Sequence, residues 1–110
     1  MFEGNVKVGD RIGVLSHADK DNSTIYMYGY GTYVKDMVAP PGFYLHGINL
    51  NEIQQMIPVL KLDNGTICYG CYCWFSSEES VKKFEEMFEK AFYLDFNEEL
   101  EKAKSAGKGI

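Results

Sequence analysis

Long apolar segments are missing from this sequence of 110 residues. No run approaches the ~18 apolar residues that a membrane-spanning helix needs, so we expect no membrane partner. The first five residues also lack the basic and then apolar regions of a secretory signal peptide. The sequence therefore predicts a cytoplasmic protein.

Positive charge is scarce as well. Lysine and arginine total 11 against 16 aspartates and glutamates, which gives a net charge of −5. Residues 76–106 carry nine of the acids and five lysines, and Arg11 is the sole arginine. Binding along an extended nucleic acid needs a basic surface, so this composition argues against it. A single small anion is still compatible with this charge.

Cysteine occurs only three times, at Cys68, Cys71 and Cys73. An odd number on one short segment makes a poor disulfide framework and favours a reducing compartment. A structural zinc site needs four ligands, and only His17 and His46 could complete the set. In a regular strand Cys68 would face away from the other two cysteines. We therefore expect small, buried, reduced thiols, with no metal and no other cofactor.

Aromatic and apolar residues, by contrast, are plentiful. Hydrophobic residues make up 45% and aromatic residues 15% of the chain, enough for one folded domain over residues 1–110. We divide it into a sheet unit (6–75), a helical segment (76–104) and a flexible tail (105–110). The predicted fold class is α+β: a small SH3-like β-barrel or a strongly twisted antiparallel sheet. A short inserted helix and a C-terminal amphipathic helix complete it.

Strand patterns fill the first third of the chain. Residues 6–15 and 24–34 predict two strands, joined by a polar turn. Gly29 and Gly31 in the second strand indicate a bulge, a sharp bend, or the close approach of another backbone or of a ligand. The two-residue period puts Tyr26, Tyr28 and Tyr30 on one face of this strand and Ile25 and Met27 on the other.

Two signals in the middle of the chain predict a short helix and a hairpin. Residues 49–57 have helical apolar spacing, and Pro58 would end that helix. The clearest hairpin is formed by residues 59–69 around Asp63-Asn64-Gly65, because an Asn-Gly pair accepts the positive φ values of a tight turn.

The C-terminal helix is predicted to begin at a capping box formed by Ser76 and Glu79. An apolar stripe at helical spacing follows: Val81, Phe84, Phe88, Ala91 and Phe92. Acids and lysines form the opposite face. A second helical stretch is predicted at residues 97–104.

Several motifs resemble a group of small bacterial and phage proteins. The shared pattern is G-x-G-x-Y, P-P, L-D-x-G and G-C-x-C-W-[WF] before a helix. Here it is read at Gly29–Tyr33, Pro40–Pro41, Leu62–Gly65 and Gly70–Phe75, and it covers most of residues 6–90. Small acidic phage proteins of this type include sponges that sequester nucleotide-derived immune signals. An anti-defence function of that kind is expected by analogy with this type of protein, and no residue-level motif carries it.

The aromatic strands are where we look for function. We hypothesise a non-enzymatic protein that binds a small nucleotide-like ligand and forms a homodimer. Four rings would sandwich the base: Tyr30, Tyr33, Tyr72 and Trp74. The phosphates would be met by Arg11 with Lys61 or Lys35.

Other interpretations stay open. The rings could instead fill the core, and Arg11 could pair with a carboxylate. A protein-interaction module would dock its partner on the aromatic strands or on the acidic helix. A small nucleotide hydrolase would need a convergent pair of carboxylates or histidines. No serine or cysteine has the local signature of an activated nucleophile, so the sequence does not predict an enzyme.

Overall fold

The computed structural model describes residues 5–109, which form eight β-strands and two α-helices. The strands are β1 (Arg11–Asp19), β2 (Thr24–Val38), β3 (Tyr44–Leu45), β4 (Ile48–Asn49), β5 (Met56–Leu62), β6 (Ile67–Tyr69), β7 (Trp74–Ser77) and β8 (Lys90–Tyr93). The helices are α1 (Glu78–Glu85) and α2 (Phe96–Gly107), and a 3₁₀ turn spans Gly70–Tyr72. This is the predicted α+β class. No helix in residues 5–109 is long and apolar enough to cross a membrane.

Six of these strands form one sheet. Its antiparallel path runs β6-β5-β2-β1-β7, and β8 adds to β2 in parallel. Among the described residues no ladder joins β6 to β7, so the sheet is open where a barrel would be closed.

The sheet nevertheless curls strongly. In a flat sheet β6 and β7 would lie four strand spacings apart, roughly 19 Å. The chain from Tyr69 to Trp74 reaches at most about 17 Å when fully extended. It also contains the 3₁₀ turn, which shortens it further. The two edges must therefore bend towards each other.

A bulge in β2 changes which way its tyrosines point. Val14 pairs with Gly29 but Leu15 pairs with Met27, so Tyr28 is an extra residue, and Gly29 has a φ of +139°. From this bulge onward, the alternation of side chains between the two faces of the sheet is shifted by one residue. Tyr28 packs in the main core, whereas Tyr30 packs on the Ile25 and Met27 side. The prediction that Tyr26, Tyr28 and Tyr30 share a face is therefore wrong.

The core has two layers, one on each face of the sheet. On one face, α2 covers a cluster from five strands and the turn before β7: Ile12, Val14, Tyr28, Tyr33, Leu60, Leu62, Cys68, Cys73, Phe75 and Phe96. On the other face, α1 contributes Val81, which packs with Leu15, Ile25 and Met27. A third cluster lies under the β3–β4 hairpin, around Phe43 and Leu50.

The predicted hairpin at residues 59–69 is confirmed, because β5 pairs with β6 through Leu60 and Cys68. Its turn has a three-residue loop closed by a bond from the Leu62 N–H to the Thr66 carbonyl (2.8 Å). Gly65 adopts a positive φ of 93° and Asn64 does not. This is the bulged hairpin geometry that commonly replaces a two-residue turn.

The predicted inserted helix at residues 49–57 is wrong. The Asn49 side chain does cap the segment by accepting from the Asn51 and Glu52 N–H groups. The chain then leaves the helical path at Gln54, which has a φ of +55°. Met56 already begins β5. Pro58 is part of β5 and pairs with Asp36 of β2. The ladder between β5 and β6 begins at Val59, so no strand is paired to the other side of Pro58, and a proline is tolerated there.

The C-terminal segment also differs from one long helix. The N-cap of α1 is Ser77, whose hydroxyl accepts from the Ser80 N–H at 3.2 Å, whereas Ser76 is buried in β7. The helix ends at Glu85, and residues 90–93 form β8 along the first half of β2.

Helix α2 begins at Phe96, close to the expected position. It runs on through residues 105–107, which were predicted as a flexible tail.

Candidate functional site

Two adjoining cavities of about 270 and 390 Å³ form a groove beside the 3₁₀ turn. They share four lining residues: Leu45, His46, Cys71 and Tyr72. Ser16, Cys73 and Trp74 complete one cavity, and the end of α2 (Ala103, Ala106, Gly107 and Gly109) completes the other. We call the whole the aromatic groove.

The β3–β4 hairpin builds one wall of the groove. Its two-residue turn, His46-Gly47, has positive φ at both positions, 52° and 79°. The end of α2 docks against this hairpin through a 2.7 Å bond from the Gly47 N–H to the Gly107 carbonyl. A Cβ on Gly107 would lie 2.0 Å from the Tyr44 carbonyl oxygen, so only glycine permits this approach.

Tyr72 and Trp74 supply the rings of the groove. The Tyr72 hydroxyl donates to the Tyr44 carbonyl at 2.6 Å, and burial raises the pKa of this phenol to about 12. Its ring packs against Phe43. Trp74 is the first residue of β7, pairs with Leu15 and keeps 42% of its surface exposed. Tyr72 is thus held by a hydrogen bond, and Trp74 exposes part of its surface at the groove.

The thiols in and near the groove are neutral. Burial raises the pKa of Cys71 to about 12, and it raises the pKa of Cys73 as well. Cys68 and Cys73 share the main core while Cys71 lies apart, because the 3₁₀ turn breaks the strand between them. The expected arrangement of the three on one strand is therefore wrong. No three His, Cys, Asp or Glu side chains of residues 5–109 converge as metal ligands would.

A row of stacked rings crosses three neighbouring strands, and its first residue, His17, follows the groove residue Ser16. The Ser16 hydroxyl, which lines the groove, lies 2.9 Å from His17 Nδ1. The His17 ring stacks on Tyr26, with centroids 4.5 Å apart and planes 20° apart, and Tyr26 stacks on Phe92 at 5.8 Å. These three rings come from β1, β2 and β8 in turn.

The residues predicted to bind a ligand are not all brought together. Tyr72 and Trp74 meet in the groove. Tyr33 is buried in the main core, and its hydroxyl donates to Asp36. Tyr30 lies against α1, and its hydroxyl donates to Glu85 at 2.5 Å. The predicted four-ring sandwich is therefore not formed.

The predicted phosphate-binding cations lie elsewhere as well. Arg11 donates to both carboxylate oxygens of Asp63 (2.7 and 2.8 Å) and to Glu78 (2.8 Å). These bonds lower the pKa of both carboxyl groups. The Arg11 guanidinium is therefore already paired with two carboxylates. Lys61 and Lys35 are exposed on β5 and β2 and line neither cavity of the groove.

Sequence reasoning missed His46, Leu45, Ser16 and the end of α2. One signal was present: His46-Gly47 stands between the apolar residues Leu45 and Ile48. Two-residue hairpin turns need positive φ at both positions, and histidine tolerates that conformation better than most residues. The contribution of α2 has no comparable local signal, because it depends on where the helix docks.

Comparisons with protein-family profiles, curated sequences and solved structures gave no significant match. The function of the chain is consequently inferred from the geometry of the groove.

Proposed function

We propose that the protein binds a small ligand with a flat aromatic ring and an anionic group, such as a nucleotide, in the aromatic groove. The observation that carries this proposal is that Trp74 and Tyr72 line one groove. The ligand stays chemically unchanged, as in a protein that sequesters a nucleotide signal.

The exposed indole of Trp74 supports stacking of the ligand ring. Trp74 lines the same cavity as Tyr72, and 42% of its surface is exposed. A flat ring that enters the groove would stack on this indole. Such a stack contributes about 1–3 kcal/mol.

The other end of the groove suits an anion. Lys108 stands between the lining residues Gly107 and Gly109, with its ammonium 5.4 Å from the centre of the Tyr44 ring. None of the ion pairs within residues 5–109 involves Lys108. His46, a potential hydrogen-bond donor, lines the same cavity. Lys108 thus replaces Arg11 as the proposed phosphate contact.

Binding without turnover is supported by the chemistry of the lining. The one cysteine common to both cavities, Cys71, has a pKa of about 12 because it is buried. A neutral thiol is a poor nucleophile near pH 7.

The test uses the single tryptophan of the chain as a reporter. Nucleoside monophosphates, cyclic dinucleotides and nicotinamide mononucleotide are titrated while tryptophan emission is followed, with calorimetry in parallel. At least one should quench Trp74 saturably. Lys108→Ala should weaken binding of a phosphorylated ligand but not of its nucleoside.

A matched pair of variants locates the site. Trp74→Leu should weaken binding by roughly 5- to 150-fold, which corresponds to one lost stack of about 1–3 kcal/mol. Phe92→Leu removes a similarly exposed ring (51%) at the far end of the row of stacked rings and should change affinity by less than about twofold. No binding to any compound by folded protein, or equal losses in the two variants, would contradict the proposal.

A second candidate function is strand addition by a partner chain, including a second copy of this protein. Within residues 5–109, β8 is paired only with β2, and its other edge carries no strand. Phe92 and Tyr93 are more than half exposed on it, beside Met87 at 74%. Such an edge accepts a further strand. Sedimentation of the protein and of a variant with Ala91→Pro would test it, since proline blocks strand pairing on that edge.

A further inference from the structure

A second concave site shares no lining residue with the aromatic groove. A cavity of about 210 Å³ is lined by three tyrosines, Tyr28, Tyr30 and Tyr93, with Asp63, Asn64, Gly29 and Leu62. A cavity of about 340 Å³ adjoins it and adds Thr66 and the start of α2 from Asp95. We call the smaller cavity the tyrosine cage.

The cage follows from the β2 bulge. Because Tyr28 is the extra residue there, it and Tyr30 point to opposite faces, and both still border the cavity around Gly29. Tyr93 comes from the end of β8, which lies beside the same part of β2. Tyr30 and Tyr93 therefore border one opening from two strands, whereas the Tyr28 ring packs in the main core.

The rings of the cage are electron-rich. The Tyr30 and Tyr93 hydroxyls donate to the two oxygens of one carboxylate, Glu85, at 2.5 and 2.8 Å. A phenol that donates to a carboxylate gains electron density, and its π face attracts cations more strongly. The Tyr30 ring already makes one cation–π contact within the protein, because the Lys82 ammonium lies 5.6 Å from its centre.

The charges around the cage have the matching sign. Asp63 lines the cavity, Glu85 holds two of its phenols and Asp95 lines the adjoining cavity. Arg11 offsets part of this charge because it pairs with Asp63 and Glu78, and Lys82 adds a further positive charge at the Tyr30 ring. The chain as a whole carries −5, which favours the approach of a cation.

We propose that the tyrosine cage binds an organic ammonium group, held by cation–π contacts to Tyr30 and Tyr93 and by the neighbouring carboxylates. The site suits a trimethylammonium or similar alkylammonium head, because such a cation is weakly hydrated and fits an aromatic cage. This site is independent of the nucleotide proposal, since the two share no lining residue.

The test is an NMR titration of the isotopically labelled full chain with choline. Saturable shifts are expected at the amides of Gly29, Asn64 and Tyr93. The neutral isostere of choline, in which carbon replaces the ammonium nitrogen, should bind at least about fivefold more weakly. A peptide carrying trimethyllysine is titrated alongside. Tighter binding of the peptide assigns the site to a partner's lysine, and equal or weaker binding assigns it to a free small cation.

Adjacent residues of β8 provide the matched variants. Tyr93→Ala should weaken choline binding at least about fivefold, whereas Tyr93→Phe keeps the π face and should stay within about twofold. Phe92→Ala removes an equally exposed ring on the opposite face and should leave choline binding unchanged. The proposal is overturned if neither cation gives saturable shifts, if the isostere binds as well as choline, or if Tyr93→Ala binds as the parent does.

Discussion

Gly31 is a position in the centre of the sheet where one added methyl group should be strongly destabilising. It lies in β2 between β1 and β5, paired with Ile12 on one side and Leu62 on the other. A Cβ at this position would come within 2.1 Å of the Lys61 carbonyl oxygen and 2.6 Å of the Leu62 Cα. Both are backbone atoms of a paired strand, so neither can rotate away.

The size of the effect follows from this geometry. To relieve this steric clash, β2 and β5 would have to separate by roughly 1 Å, since ordinary contacts of a Cβ atom begin near 3.4 Å. Overpacking of this kind costs about 1–3 kcal/mol. The neighbouring hydrogen bonds, such as that from the Asp63 N–H to the Tyr30 carbonyl (2.9 Å), would weaken as well. At about 1 kcal/mol each, two such bonds bring the expected loss for Gly31→Ala to about 3–5 kcal/mol.

Urea denaturation, followed by Trp74 fluorescence and by circular dichroism, measures this loss. The control is Gly29→Ala, two residues away. A Cβ there would have room, with its nearest neighbour at 3.5 Å, but φ is +139°. Its cost should be conformational strain alone, about 1–2 kcal/mol. If Gly31→Ala lost less than about 1 kcal/mol, or less than Gly29→Ala, the tight packing of β2 against β5 would be refuted.

Two further predictions concern Arg11 and the phenylalanines of the C-terminal segment. Hydrogen bonds from Arg11 lower the folded-state pKa values of Asp63 and Glu78, so their stabilisation is present above about pH 4 and is lost as the pH falls through the folded values. Arg11→Met should therefore be less stable than the parent at pH 7, and urea midpoints should converge in acid; a constant difference down to pH 2 would contradict this. Phe96→Ala should cost about 3–5 kcal/mol of unfolding free energy, because Phe96 is 1% exposed, whereas Phe92→Ala should cost under about 1 kcal/mol. Similar midpoints for the two alanine variants would mean that α2 does not close the core.

Some of the functional surface was predictable from the local sequence. Tyr72 and Trp74 were identified as ligand-binding residues, and the structure puts both in one groove. Tyr30 and Tyr33 are grouped with them in the sequence because both belong to the aromatic second strand, but the direction of each ring depends on the bulge in that strand. The Tyr30 hydroxyl donates to Glu85 and the Tyr33 hydroxyl donates to Asp36, so both hydroxyls are already hydrogen-bonded within the protein.

The amino-acid sequence by itself determined the α+β class, the bulge-forming glycines of β2 and the hairpin at Asp63-Asn64-Gly65. Those features depend on residues close in the chain: two-residue alternation and positive φ at glycine. The tertiary structure decided the rest. Residues 90–93 form a strand because the first half of β2 offers them backbone partners, although their apolar spacing also fits a helix.

The groove was likewise decided only by tertiary structure, because its walls come from β1, the β3–β4 hairpin, the 3₁₀ turn and the end of α2. Local patterns specify an element and its faces. They do not specify which distant backbone satisfies its hydrogen bonds, and that choice created both candidate sites.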